Sequence, residues 1–311
     1  MTRPKIYLFG DSITEESFSV GGWGASLAHH FSRTADVVLR GYSGYNTRWA
    51  LKVLERVFPA SHGGDGGTGT APIALSVFFG ANDACVPDRC SAFQHVPLHE
   101  YKQNLHSIVS FFKKRWPTTL VLLITPPPID EDARCRYPYV ENPQGLPERT
   151  NEAAGEYARA CIGVAGECGI PVVDLWTKMQ QYPDWNKDYL CDGLHLTQSG
   201  NQVVFEEVIT KLREEGLNLE SIPVDLPLIA DIDPNDPLKS FLQSNQHRGG
   251  CCSNAVFVVD QAMTVSSHMY LMLPWDTVST ATQLFSNVSI EMRSSLSSIV
   301  TVACYVEVWQ G

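Results

Sequence analysis

Between residue 5 and about residue 215, short apolar runs rich in β-branched residues alternate with longer segments of helical period. This alternation is typical of a parallel sheet whose strands are joined by helices. From Leu98 to Trp116, for example, apolar residues recur at steps of three and four, which predicts a helix with one buried face. The chain therefore predicts an α/β fold whose five strands lie at residues 5–9, 36–40, 73–79, 119–124 and 170–173.

The pattern changes after residue 218, which we take as the end of the first domain, 1–218. Residues 219–242 contain four prolines and five acidic residues against one lysine, a composition that predicts an extended strap along the surface. Residues 243–311 contain few charges and many Ser, Val and Thr residues. Such a C-terminal tail is compatible with a few added strands or with an unfolded segment.

Composition narrows the classes of partner. The chain has 34 acidic and 23 basic residues and a formal net charge of −11, so it lacks the positive charge that binds nucleic acid or anionic lipid. No apolar run reaches the roughly 18 residues that a membrane span needs. The first predicted strand begins at Lys5, which leaves no room for a signal peptide, and we expect a cytoplasmic protein. The nine cysteines follow no regular spacing and predict mostly free, buried thiols.

Polar segments lie where predicted strands end, at the sheet edge that binds ligands in open parallel folds. Ser12 directly follows the first strand, and Asp192 and His195 lie three positions apart just before the last predicted helix. A serine hydroxyl becomes a nucleophile when an imidazole takes its proton and a carboxylate orients that imidazole. These three residues therefore predict a catalytic triad.

Acyl transfer also needs fixed donors for the negative charge that develops on the carbonyl oxygen of the substrate. Asn82, in the loop after the third strand, offers a side-chain NH₂ group. The backbone N–H of Ser12 and that of a glycine in the loop after the second strand can complete an oxyanion hole. On residue chemistry alone, that glycine is either Gly44 or Gly41.

Four sequence blocks in this order resemble those of the SGNH/GDSL hydrolase superfamily, over roughly residues 3–240. The neighbouring sequence is most similar to the isoamyl acetate-hydrolysing esterase-like branch, which includes plant GDSL esterases/lipases. Residues 243–311 have no counterpart in that resemblance. The four blocks are Gly10-Asp11-Ser12-Ile13, Arg40 to Asn46, Gly80-Ala81-Asn82-Asp83 and Asp192-Gly193-Leu194-His195.

The resemblance implies a flavodoxin-like three-layer α/β/α sandwich with a five-stranded parallel sheet. It also implies a serine esterase in which Ser12 is the nucleophile, His195 the base and Asp192 its orienting acid. The implied oxyanion donors are the backbone amides of Ser12 and Gly44 and the side chain of Asn82. The expected substrate is a short-chain, acetate-type ester, hydrolysed without a cofactor or a metal.

Three aromatic residues, Trp23, Tyr45 and Trp49, are candidates for lining the substrate pocket. The partner that the resemblance implies is a small-molecule ester. The sequence does not decide between a monomer and a homodimer.

Two other functions stay open at this point. One is a metal-dependent hydrolase, in which Asp11, Asp83, Asp192 and His195 supply oxygen and nitrogen ligands. The other is a binding protein that keeps the fold without catalysis, because a fold alone does not guarantee activity.

Overall fold

The computed structural model describes residues 3–59, 71–138 and 140–242. The predicted tail, 243–311, lies outside the described residues. The strands are β1 (Lys5–Gly10), β2 (Asp36–Gly41), β3 (Ala74–Phe78), β4 (Leu120–Ile124) and β5 (Val172–Val173). They form one sheet with the order β2-β1-β3-β4-β5, and every neighbouring pair is parallel. The five-stranded parallel sheet predicted from the sequence is confirmed.

Strand β5 is shorter than the predicted 170–173. The backbone N–H of Ile170 donates to the carbonyl of Ala165 at 3.0 Å, which ends the preceding helix. Pro171 has no N–H to donate to a neighbouring strand. Two residues are therefore left to pair with β4.

Ten α-helices lie within the described residues. The predicted helix from Leu98 to Trp116 is confirmed and ends one residue earlier, at Arg115. None of the helices in the described part of the chain is both long and apolar enough to cross a membrane. The helices are α1 (Ser12–Glu15), α2 (Trp23–His30), α3 (Thr47–Val57), α4 (Leu98–Arg115), α5 (Glu131–Arg136), α6 (Asn151–Cys168), α7 (Leu175–Met179), α8 (Trp185–Asp188), α9 (Gln198–Glu214) and α10 (Lys239–Leu242).

Side chains of alternating strand residues enter two separate cores, as the period of a β-strand requires. On one face of the sheet, Leu8 belongs to a buried cluster with residues of α2, α7 and α9. On the other face, Phe9 belongs to a cluster with residues of α3, α4 and α6. The helices thus cover both faces of the sheet, which confirms the three-layer α/β/α sandwich.

Six cysteines fall within the described residues, and all six are free thiols. Cys85 and Cys161 are buried, as expected. The expectation of mostly buried thiols is nevertheless wrong for this part of the chain. The remaining four are half-buried or exposed, because they lie in loops, in the short helix α5 or at the end of α6: Cys90, Cys135, Cys168 and Cys191.

Residues 219–242 contain a 3₁₀ turn at Ile229–Asp231 and the helix α10. The carboxylate of Asp225 accepts hydrogen bonds from Nε of Arg3 at 2.7 Å and from Nε of Arg33 at 2.9 Å. The backbone N–H of Asp225 donates to the carbonyl of Arg33 at 2.9 Å. These bonds attach the segment to the residues just before β1 and to the loop after α2.

Strand β2 ends at Gly41, directly against the backbone of α1. A Cβ atom at Gly41 would lie 2.1 Å from the nitrogen and 2.3 Å from the Cα of Glu15. Both are backbone atoms, so a side chain here would push α1 away from the sheet. Because α1 begins with Ser12, this contact also fixes how closely Ser12 approaches the end of β2.

We expect Gly41→Ala to lower the free energy of unfolding by about 1–3 kcal/mol, since the overpacked backbone must shift. Gly163→Ala is a matched control, because Gly163 is exposed on α6 and its Cβ would meet nothing within 4 Å. That substitution should raise the free energy of unfolding by roughly 0.5–1 kcal/mol. Urea unfolding followed by circular dichroism measures both variants. Equal unfolding midpoints for the two would contradict the close packing at Gly41.

Candidate active site

Ser12 is the first residue of α1 and follows β1 after one intervening residue, Asp11. The carboxylate of Asp11 caps the helix by accepting a hydrogen bond from the N–H of Ile13 at 3.1 Å. Burial raises the pKa of Asp11 to about 7, against the opposing effects of the Ile13 N–H and of His195. This cap holds Ser12 at the carboxyl edge of the sheet.

The three residues of the predicted triad form a continuous hydrogen-bonded line. Oγ of Ser12 lies 2.9 Å from Nε2 of His195, and Nδ1 of His195 lies 2.8 Å from Oδ2 of Asp192. The other carboxylate oxygen of Asp192 accepts hydrogen bonds from the backbone N–H groups of Leu194 at 2.9 Å and His195 at 2.8 Å. The turn that holds Asp192 therefore fixes the carboxylate before it meets the imidazole.

The same contacts shift the pKa values of both side chains. Burial alone would lower the pKa of His195, but the hydrogen bond and negative charge of Asp192 outweigh it and raise this pKa above its ordinary value. Burial would raise the pKa of Asp192, but the hydrogen bonds and charge of His195 hold it well below its usual range. The pair thus favours an ionised carboxylate beside an imidazole that readily accepts a proton.

Asn82 lies beside this line with its amide held from both ends. Its Oδ1 accepts hydrogen bonds from Nη2 of Arg149 at 2.9 Å and from Nε2 of Gln94 at 3.1 Å. Its Nδ2 donates to the carbonyl of Tyr45 at 2.9 Å and reaches Oδ2 of Asp11 at 3.5 Å. Two donors on Oδ1 leave only one favourable orientation of the amide, with the NH₂ group on the side of Asp11.

The backbone N–H groups of Ser12 and Gly44 both lack an acceptor among the described residues. Gly44 has a φ of +77°, in the left-handed region that favours glycine, and its carbonyl accepts from Nε2 of Gln94 at 2.9 Å. Of the two glycines that the sequence left open, Gly41 is the last residue of β2 and packs against the backbone of α1. Gly44 is the one that lies in the loop beside Gln94 and Asn82.

Asp83 holds the start of α3. Its carboxylate accepts hydrogen bonds from the backbone N–H of Thr47 at 3.0 Å and from the hydroxyl of the same residue. Burial raises the pKa of Asp83 to about 7, opposed by these hydrogen bonds. Within the ranges that the structure describes, no three His, Cys, Asp or Glu side chains are grouped so that they could hold a metal ion. The ligand set considered from the sequence, which included Asp11 and Asp83, is therefore not assembled.

The prediction that Trp23 lines the substrate pocket is wrong. Its side chain is completely buried in the core between the sheet and α9. The indole Nε1 donates to the carbonyl of Ile13 at 3.1 Å. Trp23 therefore packs beneath the candidate nucleophile and supports α1 from within the core.

Tyr45 and Trp49 lie at the surface and are partly exposed. Their rings pack edge to face with centroids 5.8 Å apart. Trp49 also stacks on Phe93 at 6.4 Å, and Phe93 is 58% exposed. Because the carbonyl of Tyr45 is bound by Asn82, this aromatic group adjoins the site. Sequence reasoning missed Phe93, which lies outside the four blocks.

Four polar residues around the site were also missed: Gln94, Arg134, Glu148 and Arg149. All four are at most 3% exposed, whereas isolated charges in loops are usually solvated. Glu148 and Arg149 immediately precede Thr150, the N-cap of α6, and no motif marks them. Their role becomes visible only through contacts between residues far apart in the chain.

The sequence matches a known protein family over most of the described residues. The profile described as GDSL-like Lipase/Acylhydrolase matches residues 6–208. The chain belongs to that family. The matched range contains all four sequence blocks and every residue of the predicted triad and oxyanion hole.

Curated relatives of this GDSL hydrolase include enzymes of plants and animals. It is 71% identical over 241 residues to the GDSL esterase/lipase At5g45920 of Arabidopsis thaliana, and the alignment covers 78% of this chain and 99% of that protein. It is 42% identical over 246 residues to the Isoamyl acetate-hydrolyzing esterase 1 homolog of Homo sapiens, covering 78% of this chain and 94% of that protein. The chain is accordingly an enzyme, a carboxylic ester hydrolase.

Solved structures agree on the fold. The lipase/acylhydrolase from Enterococcus faecalis superposes with a TM-score of 0.52 at 24% identity, covering 68% of this chain and 96% of that one. The acetylxylan esterase Axe2 from Geobacillus stearothermophilus gives a TM-score of 0.52 at 21% identity, covering 71% of this chain and 96% of that one. The fold implied by the sequence resemblance is confirmed.

The Asp192 carboxylate beside His195 predicts a measurable titration. In the wild type, the NMR-detected pKa of the His195 ring should lie above the ordinary 6.5, and Asp192→Asn should lower it because the negative charge is lost. Asp236→Asn removes an exposed carboxylate from the 219–242 segment and should leave the His195 pKa unchanged. An unaltered His195 pKa in Asp192→Asn would contradict this coupling.

Proposed function

We propose that this hydrolase is a serine esterase that cleaves short-chain, acetate-type esters through a Ser12-His195-Asp192 triad and an acyl-enzyme. The observation that carries the proposal is the unbroken hydrogen-bonded line from Oγ of Ser12 to the Asp192 carboxylate. This chemistry requires a nucleophile, a base and an orienting acid that are hydrogen-bonded in that order.

In the first half of the reaction, Oγ of Ser12 attacks the ester carbonyl carbon while Nε2 of His195 accepts its proton. Asp192 holds the Nδ1–H of the ring and stabilises the imidazolium that forms. His195 then returns the proton to the departing alkoxide, so the alcohol leaves and Ser12 carries the acyl group. A water molecule repeats the sequence, which releases the carboxylic acid and restores Ser12.

The negative charge on the substrate oxygen is met by three donors in this proposal: the backbone N–H groups of Ser12 and Gly44 and the NH₂ group of Asn82. The first two have no acceptor among the described residues, so both are available to a substrate. Arg149 and Gln94 hold Oδ1 of Asn82, so its NH₂ group faces away from them, and the 3.5 Å contact of that group with Oδ2 of Asp11 is long enough to be exchanged for the substrate oxygen. Preorganised donors of this kind stabilise the tetrahedral intermediate more than the ester itself.

The preference for short acyl chains rests on the relatives and on the surface beside the site. One relative is named for the hydrolysis of isoamyl acetate, a small acyl group on an apolar alcohol. Tyr45 and Trp49 form an aromatic surface next to Asn82, which suits an apolar alcohol portion. The small acyl group then faces the oxyanion donors.

The nucleophile can be tested by labelling. A fluorophosphonate probe should attach one group to the wild type at Ser12, identified by peptide mass spectrometry, and Ser12→Ala should lose both the label and nearly all esterase activity. Ser43→Ala is the matched control, because Ser43 is an exposed serine in the glycine loop. It should keep both. Full activity in Ser12→Ala would refute the mechanism.

Chain-length preference is tested with p-nitrophenyl esters from acetate to decanoate. We expect kcat/KM to be highest for the acetate or propionate, because each methylene that does not fit is worth about 1–3 kcal/mol. Active-site titration with the fluorophosphonate probe provides the concentration of competent enzyme for every measurement. A maximum at the octanoate or decanoate would contradict the short-chain assignment and leave the serine mechanism intact.

A further inference from the structure

Three charged side chains are buried between the two halves of the site. Arg134 is 2% exposed, Glu148 is 0% exposed and Arg149 is 3% exposed. Removing such charges from water is costly unless each is paired and hydrogen-bonded. The way in which these three are paired connects the triad acid with the oxyanion amide.

Arg134 joins Glu148 to the triad. Its Nε and Nη2 donate to Oε1 of Glu148 at 2.9 and 2.6 Å. Its Nη1 lies 3.0 Å from the backbone carbonyl of Asp192 and 3.0 Å from Oδ2 of the same residue. Oδ2 is also the oxygen that meets Nδ1 of His195. The Asp192 carboxylate is thus held by the guanidinium as well as by its own turn.

Arg149 joins the same Glu148 to the other half of the site. Its Nη1 donates to Oε1 of Glu148 at 2.7 Å and its Nε to the carbonyl of Ala81 at 2.9 Å. Its Nη2 donates to Oδ1 of Asn82 at 2.9 Å and to Oε1 of Gln94 at 3.0 Å. One carboxylate oxygen therefore anchors two guanidinium groups that reach the triad acid and the oxyanion amide.

We propose that Arg134, Glu148 and Arg149 are positioning residues that set the Asp192 carboxylate and the Asn82 amide as one unit. The proposal rests on the proposed function, since it assigns these residues to the same reaction. None of the three touches the substrate. Glu148 is the shared anchor, Arg134 orients the triad acid and Arg149 orients the oxyanion donor.

Arg149 affects Asn82 in two ways. A turned amide would place its NH₂ group against the Nη2 of Arg149 and the NH₂ of Gln94, so the positive charge excludes that orientation. The guanidinium also draws electron density through the amide from Oδ1, which makes the Nδ2–H a stronger donor. Both effects matter most when the substrate oxygen is negative, so they act on kcat more than on KM.

Two variants separate this role from a merely structural one. Arg149→Lys keeps a charge but cannot bind four acceptors at once, and Glu148→Gln keeps the shape but loses the charge that both arginines share. We expect each to lower kcat by about 10–100-fold with KM changed less than about twofold, as misplaced donors do. Arg159→Lys, an exposed arginine of α6, is the matched control and should leave both constants unchanged.

A double-mutant cycle with Asn82→Ala provides the decisive readout. Asn82→Ala alone should lower kcat by about 10²–10³-fold. With Asn82 absent, Arg149→Lys should have less than about twofold further effect, because the group that it positions is gone. Rates are divided by the concentration of sites titrated with the fluorophosphonate probe, so partly unfolded protein does not enter them. Should Arg149→Lys not fold, the same cycle is made with Glu148→Gln, whose effect should become smaller without Asn82 but not vanish, because Glu148 also anchors Arg134 beside Asp192.

Three outcomes would overturn the proposal. If the loss of kcat in the double mutant equals the product of the losses in Arg149→Lys and Asn82→Ala, Arg149 has a structural role only. A rise in KM at unchanged kcat would assign Arg149 to substrate binding instead. Full activity in Ser12→Ala, measured beside them, would refute the serine mechanism and this proposal together. If Ser12→Ala is inactive and the losses of kcat from Arg149→Lys and Asn82→Ala still multiply, only the positioning role is refuted.

Discussion

Parallel pairing of β1 with β2 on one side and β3 on the other is the constraint on which the site depends. Gly10, the last residue of β1, is in register with Gly41 and Phe78, the last residues of β2 and β3. The three strands run in the same direction and stop at the same level, so the segments that follow them meet at one edge. Ser12, the glycine loop and Asn82 come from these three segments. Their proximity is a consequence of strand register.

Three buried carboxylates, each hydrogen-bonded to a different kind of donor, hold that edge together. The carboxylate of Asp11 is satisfied by the N-terminus of the helix that it caps. That of Asp83 is satisfied by the backbone and hydroxyl of Thr47 at the start of another helix. Oε1 of Glu148 is satisfied by two guanidinium groups. The catalytic edge therefore depends on interior hydrogen bonds that run well beyond the four sequence blocks.

The sequence predicts those parts of the site that follow a strand or lie within one turn. Ser12 and Asn82 directly follow strands, and Asp192 and His195 lie in a single turn, so local pattern and family resemblance suffice to find them. Arg134 could not be found in this way. Its partners lie 14 and 58 positions away along the chain, and no periodicity encodes such a contact.

The error at Trp23 has a related cause. An aromatic residue after a glycine-rich loop near the nucleophile suggests a pocket wall, but the indole N–H has an acceptor inside the protein, the carbonyl of Ile13. Whether a large amphipathic side chain faces the solvent or the core depends on where its one polar atom is satisfied. The composition of the loop does not contain that information.

Asp11 and Asp83 make acid conditions favourable for the folded state, because their pKa values lie near 7 instead of the ordinary 3.8. Between those values the native chain holds protons that the unfolded chain releases, so stability falls as the pH rises across that interval. A rise in pH has the opposite effect on catalysis, because it favours the neutral His195 imidazole that takes the proton of Ser12. The protonated side chains of Asp11 and Asp83 therefore contribute most to folding on the acid side of neutrality, whereas the triad needs a neutral His195 ring.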